Sequence, residues 1–246
     1  MGKLDGKTAI VTGSSRGVGA DVAKYLAAEG AAVVVNYRQK APRANKVVAQ
    51  ITEAGGRAVA VGADLTTQEG VQALVSAAME NFGSLDLLVL NASGGMESGM
   101  AENYALQLNR DAQVNLLKSA LPLMKPGSRV VFVTSHQAHF IETVPTMPEY
   151  EPVAKSKRAG EDALRALIPG LSEEDISLVV VSGDMIEGTV TATLLDRANP
   201  GAIEARRAEA GRLYSVAEFA AEIAKMATAD VETGHTEYVG GADYFK

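Results

Sequence analysis

Short apolar runs alternate along this chain with longer stretches in which apolar residues recur every three or four positions. Nearly continuous apolar runs are typical of strands that are buried on both faces, and the longer spacing is typical of core-facing helices. The predicted strands cover 8–11, 32–37, 57–61, 85–90, 129–134, 176–181 and 236–239. This alternation predicts an α/β fold in which a parallel sheet is covered by helices on both faces.

The intervening segments have the spacing of helices. Helical patterns run from the first glycine-rich turn to Gly30 and cover 43–54, 68–82 and 103–124, and another begins near Pro152. Two stretches break the regularity, 136–151 with its internal prolines and 183–212 with a mixed pattern. We expect irregular loops there, of the kind that shape a binding pocket. No linker or repeat interrupts the sequence, so a single domain over 1–246 is expected.

The turn after the first strand has the sequence Thr12-Gly13-Ser14-Ser15-Arg16-Gly17-Val18-Gly19. A strand that passes through glycines into a helix presents free backbone N–H groups and the positive end of a helix dipole, which suit a pyrophosphate. Such a turn alone is weak evidence of a nucleotide site. However, Asp64, Asn91, Ser135 and Gly183 also fall at the carboxyl ends of predicted strands, where ligands bind to open parallel sheets. The sequence therefore predicts a dinucleotide site at this edge.

Composition excludes several classes of function. The 246 residues carry a net charge of -7, which gives no reason to expect nucleic acid or an anionic membrane as partner. There is no cysteine and there are three histidines, so thiolate chemistry is excluded and a metal site is not expected. The first residues lack the apolar core of a signal peptide, so a cytoplasmic location is expected.

Taken together, these motifs resemble the short-chain dehydrogenase/reductase family over essentially the whole chain, and its 3-oxoacyl reductase branch in particular. The segment from Thr12 to Gly19 is similar to the TGxxxGxG motif of that family, and Asn91-Ala92-Ser93-Gly94 is similar to its NNAG motif with Ser93 as a departure. The resemblance implies a Rossmann-type doubly wound parallel sheet of about seven strands. It also implies a homotetramer or homodimer acting on a small-molecule carbonyl or alcohol.

The resemblance also implies which residues contact a nicotinamide dinucleotide. The expected contacts are Gly13, Ser15, Arg16, Gly17, Val18, Gly19, Tyr37, Arg38, Asp64, Leu65, Asn91, Ala92, Lys157, Gly183, Ile186 and Thr189. Members that prefer NAD carry an acid at the end of the second strand, where this chain has Tyr37. Arg38 follows Tyr37 directly and Arg16 lies in the glycine-rich turn, and guanidinium groups suit a 2′-phosphate. NADP(H) is therefore the expected cofactor, with NAD(H) as the alternative.

Four residues are the expected catalytic groups by the same resemblance: Ser135, Tyr150, Lys157 and Asn109. In the chemistry of the family a tyrosine phenol exchanges the proton of the carbonyl, and a lysine lowers its pKa and holds the ribose. A serine polarises the carbonyl, and the asparagine holds a water in the proton relay.

The Tyr-x-x-x-Lys motif of the family is not intact in this chain. Val153 stands four residues before Lys157, the lysine of the Ser-Lys pair, and Tyr150 stands seven residues before it. Since a residue before proline avoids helical angles, Tyr150 is expected just ahead of the helix that Pro152 begins. From that position its hydroxyl either curls back over the site or points away.

Three hypotheses about the proton donor follow. Tyr150 serves from the loop, in an NADP(H)-dependent oxidoreductase that transfers hydride to a ketone or from an alcohol. Alternatively, His136, His139 or Glu142 acts instead, for a redox reaction or for a non-redox dehydration or isomerisation. In the third hypothesis the proton-transfer role is lost, and the protein binds or senses NADP(H) without turnover.

Overall fold

The computed structural model describes residues 2–97 and 99–245. Seven strands form one sheet with the order β3-β2-β1-β4-β5-β6-β9, and every neighbouring pair is parallel. These strands are β1 (Thr8–Val11), β2 (Ala32–Tyr37), β3 (Arg57–Gly62), β4 (Leu85–Leu90), β5 (Met124–Ser135), β6 (Ser177–Gly183) and β9 (Thr236–Val239). This order confirms the Rossmann-type doubly wound sheet. The chain adds strands outward on one side of β1 up to β3 and then, from β4 onward, on the other side.

Helices cover both faces of the sheet. They are α1 (Gly17–Ala28), α2 (Ala41–Glu53), α3 (Gln68–Phe82), α4 (Tyr104–Leu106), α5 (Ala112–Ala120), α6 (His136–His139), α7 (Glu151–Arg165), α8 (Ile168–Glu173), α9 (Val190–Ala198), α10 (Ala202–Ala210) and α11 (Val216–Met226). Alternate residues of one strand enter different cores, because successive side chains point to opposite faces. Ala9 and Val11 pack with α1, α2 and α11, whereas Ile10 packs with α3 and α5.

The segment predicted as one helix over 103–124 is divided. After α4, a π-helical turn runs over Gln107–Asp111, and a 3-10 helix over Leu121–Leu123 follows α5. Met124, which the prediction included in the helix, already begins β5. Pro122 explains the end of the helix, because proline cannot supply the N–H that an α-helical hydrogen bond needs.

The prediction of two irregular loops was only partly right. The stretch 136–151 contains α6, and Glu151 begins α7. The stretch 183–212 contains α9 and α10 and a short strand, β7 (Ile186–Glu187), which pairs with β8 (Tyr214–Ser215). These helices pack on a small apolar cluster of their own around Tyr150, Met185 and Leu195. The cluster explains their order, because it buries apolar faces that the main cores do not reach.

Within the described ranges, no helix is both long enough and apolar enough to span a membrane.

Candidate active site

The predicted glycine-rich turn connects β1 to α1 at the reversal point of the sheet. Gly13 has a φ of 63°, in the left-handed region that favours glycine. At Gly19, a Cβ would lie 2.5 Å from Asn91 Nδ2 and 2.7 Å from the Gly13 carbonyl, so the turn has no room for a side chain at this position. Arg16 precedes α1 without a side-chain capping bond in the described structure. The first N–H groups of α1 are thus left for an anion.

Two buried side chains hold this turn in place. Thr12 Oγ1 donates to the Val89 carbonyl at 3.2 Å and accepts from the N–H groups of Asn91 and Ala92 at 2.9 Å each. Asn36 Oδ1 accepts from the Gly13 N–H at 3.0 Å. Sequence reasoning missed the role of Asn36, because a polar residue inside an apolar strand carries no signal that shows where its amide points.

A cavity of about 500 Å³ opens beside the turn. Together with a smaller adjoining cavity of about 170 Å³, it is lined by all sixteen predicted cofactor residues. Lys157, Gly183 and Ile186 line only the smaller one, whereas Val18, Asn91 and Thr189 line both. The topology explains this convergence, because all the contributing loops follow carboxyl ends of parallel strands.

The larger cavity is strongly basic at the end of β2. Arg16, Arg38, Lys40 and Arg43 line it. Among residues 2–97 and 99–245, none of these four forms an ion pair with a carboxylate. The Asp64 carboxylate lies in the same cavity, where it accepts from the Thr66 N–H and hydroxyl. The glycine-rich turn and these four cations without carboxylate partners together fit a dinucleotide that carries an additional phosphate.

The smaller cavity brings Ser135, Tyr150 and Lys157 together. Ser135 ends β5, and its Oγ accepts from the Ala138 N–H at 3.3 Å. The Tyr150 hydroxyl lies 3.2 Å from the same Oγ, and Tyr150 is only 5% exposed. Because the Ser135 oxygen already accepts from a backbone donor, its own proton is available to the tyrosine or to a ligand.

Tyr150 lies immediately ahead of α7, as predicted, but the helix begins at Glu151 rather than at Pro152, which is its second residue. Of the two orientations that the sequence left open, the hydroxyl takes the one toward Ser135. Val153, one helical turn later, is buried in the small apolar cluster with Tyr150. Tyr150 thus lies about one helical turn before position 153, where the family motif has its tyrosine, and its hydroxyl still reaches Ser135.

Burial moves the pKa values of both titratable groups here. It raises the pKa of Tyr150, while the hydrogen bond to Ser135 lowers it. Burial also lowers the pKa of Lys157 to about 8, and the nearby Glu161 carboxylate acts in the opposite direction. Lys155, by contrast, is exposed and forms a 2.6 Å ion pair with Glu151. Lys157 is thus the lysine that lines the cavity.

Asn109 lies in the π-helical turn and is 2% exposed. Its Nδ2 donates to the Gly94 carbonyl and to Ser156 Oγ, at 2.9 Å each. A Cβ at Gly160 would stand 2.1 Å from the Asn109 carbonyl, so α7 packs directly against this turn. The side chain of Asn109 thereby ties the segment after β4 to the helix that carries Lys157. It does not line either cavity.

The alternative acids do not line either cavity. His136 is buried, and its ring nitrogens lie 2.8 Å from Ser182 Oγ and 3.0 Å from the Gly240 carbonyl. Burial lowers the pKa of His136. His139 Nδ1 lies 2.9 Å from a carboxylate oxygen of Glu161, and Glu142 is exposed. In the described part of the chain, the partners that hold the two histidines do not line the smaller cavity.

A buried ion pair that the sequence did not predict includes a residue that lines the smaller cavity. Asp184 lines the cavity just after β6 and accepts from Arg206 Nε of α10 at 2.8 Å. Arg206 Nη1 also lies 2.8 Å from the Asp243 carboxylate near the end of the chain. Sequence reasoning missed this contact because these residues are far apart along the chain and form no recognisable motif.

The sequence and the fold match known proteins. A family profile described as short chain dehydrogenase matches residues 7–199. An uncharacterised oxidoreductase of Methylorubrum extorquens is 38% identical over 201 residues, which are 78% of this chain and 79% of that protein. The 1-cyclohexenylcarbonyl-CoA reductase of Streptomyces collinus is 33% identical over 187 residues, 74% of this chain and 65% of that protein. The crystal structure of angucycline C-6 ketoreductase LanV with bound NADP has a TM-score of 0.82 and 28% identity, covering 96% of this chain and 95% of that one.

Proposed function

The chain belongs to the short-chain dehydrogenase/reductase family, and on that premise we propose that it is an NADP(H)-dependent reductase of a ketone or related carbonyl. The observation that carries this proposal is the 3.2 Å contact between Tyr150 and Ser135, in the cavity that Lys157 also lines. It supports Tyr150 as the proton donor although its position in the sequence departs from the family motif. The LanV ketoreductase supports a carbonyl as the reacting group.

The proposed mechanism assigns one task to each side chain. When bound in the two cavities, NADPH would supply the hydride that reduces the carbonyl carbon. Ser135 donates its hydroxyl proton as a hydrogen bond to the carbonyl oxygen, and the Tyr150 hydroxyl transfers its proton to that oxygen as negative charge develops there. Tyr150 is protonated at neutral pH, because the ordinary pKa of a tyrosine is about 10 and burial raises it. The Lys157 ammonium group holds the ribose and stabilises the phenolate that the transfer leaves.

Selection of NADP(H) over NAD(H) rests on charge. The unpaired cations at the end of β2 suit a 2′-phosphate, and Tyr37 stands where a ribose-binding acid would repel one. The bound NADP of LanV supports the same choice. Asp64, Leu65, Ala92 and the glycine turn are proposed to contact the rest of the dinucleotide, and Gly183, Ile186 and Thr189 the nicotinamide end. Asn109 is proposed to support this site through its contact with α7.

A substrate panel tests the proposal. The purified protein is incubated with NADPH or NADH and a series of ketones, and cofactor oxidation is followed by absorbance. We expect oxidation of NADPH with at least one ketone, formation of the matching alcohol, and weaker activity with NADH. Tight NADPH binding by calorimetry without oxidation across the panel would instead support a cofactor-binding protein without turnover.

A second candidate reaction is reduction of a conjugated carbon–carbon double bond. In a ketone, the carbon that takes the hydride is bonded to the oxygen that gains charge, whereas in an unsaturated thioester two further bonds separate them. The 1-cyclohexenylcarbonyl-CoA reductase of Streptomyces collinus, which is 33% identical to this chain, supports this class.

The two reactions give different products. In the second, the hydride from NADPH would join the β-carbon while Tyr150 donates a hydrogen bond to the thioester oxygen, and a proton from solvent would then join the α-carbon. Mass spectrometry and chromatography of products from an unsaturated thioester and from its saturated 3-oxo counterpart separate the candidates. Formation of the saturated thioester alone favours double-bond reduction, and formation of the 3-hydroxy thioester alone favours ketone reduction.

A further inference from the structure

Two side chains that are distant in the sequence meet at the basic end of the larger cavity. Arg38 is the first residue after β2, and Tyr104 is the first residue of α4. Arg38 Nη1 donates to the Tyr104 hydroxyl, and the guanidinium carbon lies 5.4 Å from the centroid of the Tyr104 ring. Both residues line the cavity. A single tyrosine thus holds this arginine through a hydrogen bond and a cation–π contact.

The two partners differ in exposure to solvent. Tyr104 is 7% exposed and belongs to the core cluster that includes Leu108 and Ala112, whereas Arg38 is exposed. Burial raises the pKa of Tyr104, so its hydroxyl stays protonated while its oxygen accepts from Arg38. An exposed arginine without a partner samples many rotamers, and ordering it lowers the affinity for any anion that it binds. Tyr104 orders the Arg38 side chain before any anion binds and so reduces this cost.

The charge around this pair points to a phosphate as its ligand. Arg16, Lys40 and Arg43 line the same cavity, and in the described parts of the chain none of them is paired with a carboxylate. The Asp64 and Glu97 carboxylates also line it, so with Arg38 the described lining has four cations and two carboxylates. The Arg38 guanidinium has five N–H donors, and the Tyr104 hydroxyl takes one hydrogen bond from it. Its remaining donors are sufficient to bind phosphate oxygens. NADPH and NADH differ only by the 2′-phosphate, so the pair affects one cofactor and not the other.

We propose that Tyr104 is a positioning residue for cofactor specificity, which orients Arg38 toward the 2′-phosphate of NADP(H). This inference rests on the proposed use of NADP(H). Tyr104 would thus be a determinant of cofactor specificity that lies on α4, after β4, and outside the β1–α1 turn and the end of β2. Position 104 therefore affects the affinity for NADPH without contacting the reacting atoms.

Calorimetric titration of the full-length protein with NADPH and with NADH tests this role without relying on turnover. We expect Tyr104→Leu to raise the Kd for NADPH about tenfold and the Kd for NADH less than twofold. Tyr104→Phe keeps the ring under the guanidinium and is expected to have a smaller effect in the same direction. Tyr25→Leu makes the same change on an exposed tyrosine of α1 and is expected to leave both constants unchanged.

A double-mutant cycle separates positioning from general packing. In an Arg38→Met background, Tyr104→Leu is expected to raise the Kd for NADPH no further, because the group that it positions is gone. An equal loss of NADPH and NADH affinity in Tyr104→Leu and Tyr104→Phe would overturn the inference, and so would an undiminished effect without Arg38. Wild-type protein that binds NADH as tightly as NADPH would contradict the proposed cofactor preference instead.

Discussion

Replacing Lys157 with methionine is expected to stabilise the fold at pH 7 while it removes a group that the proposed mechanism requires. Lys157 lies buried in α7, and burial lowers its pKa from 10.5 to about 8. One pKa unit of difference between the folded and unfolded states corresponds to about 1.4 kcal/mol. The charged lysine therefore destabilises the fold by about 3 kcal/mol below pH 8. Methionine fills a similar volume without that charge.

The stabilisation should depend on pH in a defined direction. The folded protein releases the Lys157 proton near pH 8, whereas the unfolded chain keeps it up to about pH 10.5. Because the unfolded state binds more protons across this window, the wild-type protein gains stability as pH rises. The advantage of Lys157→Met is therefore largest below pH 8 and disappears toward pH 10.5.

Urea unfolding at pH 7 and pH 10 measures this effect, followed by circular dichroism. Lys155→Met is the matched control, because Lys155 is exposed and its ion pair with Glu151 is expected to contribute about 0.5 kcal/mol or less. The reasoning is wrong if Lys157→Met is less stable than the wild type at pH 7. It is equally wrong if the difference between the two proteins is the same at both pH values.

Three further substitutions test the packing around the site. Gly160→Ala places a Cβ 2.1 Å from the Asn109 carbonyl of the π-helical turn. We expect the free energy of unfolding in urea to fall by about 3 kcal/mol. An unchanged unfolding midpoint would contradict this packing. Thr12→Val removes three hydrogen bonds beneath the glycine turn, and calorimetry should show weaker binding of both NADPH and NADH. Arg206→Met removes the cation that binds Asp184 and Asp243. We expect a higher KM for the substrate and faster proteolysis within 183–212. Wild-type values of both would refute a role for this ion pair in ordering the segment beside the smaller cavity.

The positions of the sheet strands could be predicted from the sequence because the sheet is parallel. Its strands are buried on both faces, so apolar runs such as 85–90 mark them directly, and their carboxyl ends bring Asp64, Asn91 and Gly183 to one edge. The glycine turn was predictable for a local reason, since a positive φ at Gly13 selects its residue type.

What the sequence could not predict depends on contacts between distant residues. Tyr150 is buried in one apolar cluster with Met185 and Leu195, and no local sequence pattern encodes that packing. The same holds for the helices within 183–212, which pack on this cluster and carry Arg206 to its ion pair with Asp184. The π-helical turn at Asn109 is likewise invisible in a helical hydrophobic period.

The central claim is that Tyr150 delivers the proton although it stands outside the family motif. Single-turnover reduction by Tyr150→Phe, loaded with NADPH and the best substrate from the panel, tests it most directly. We predict a rate at least about 100-fold below that of the wild type, as expected for loss of a general acid, with the Kd for NADPH unchanged within twofold. A wild-type rate in Tyr150→Phe would contradict the account.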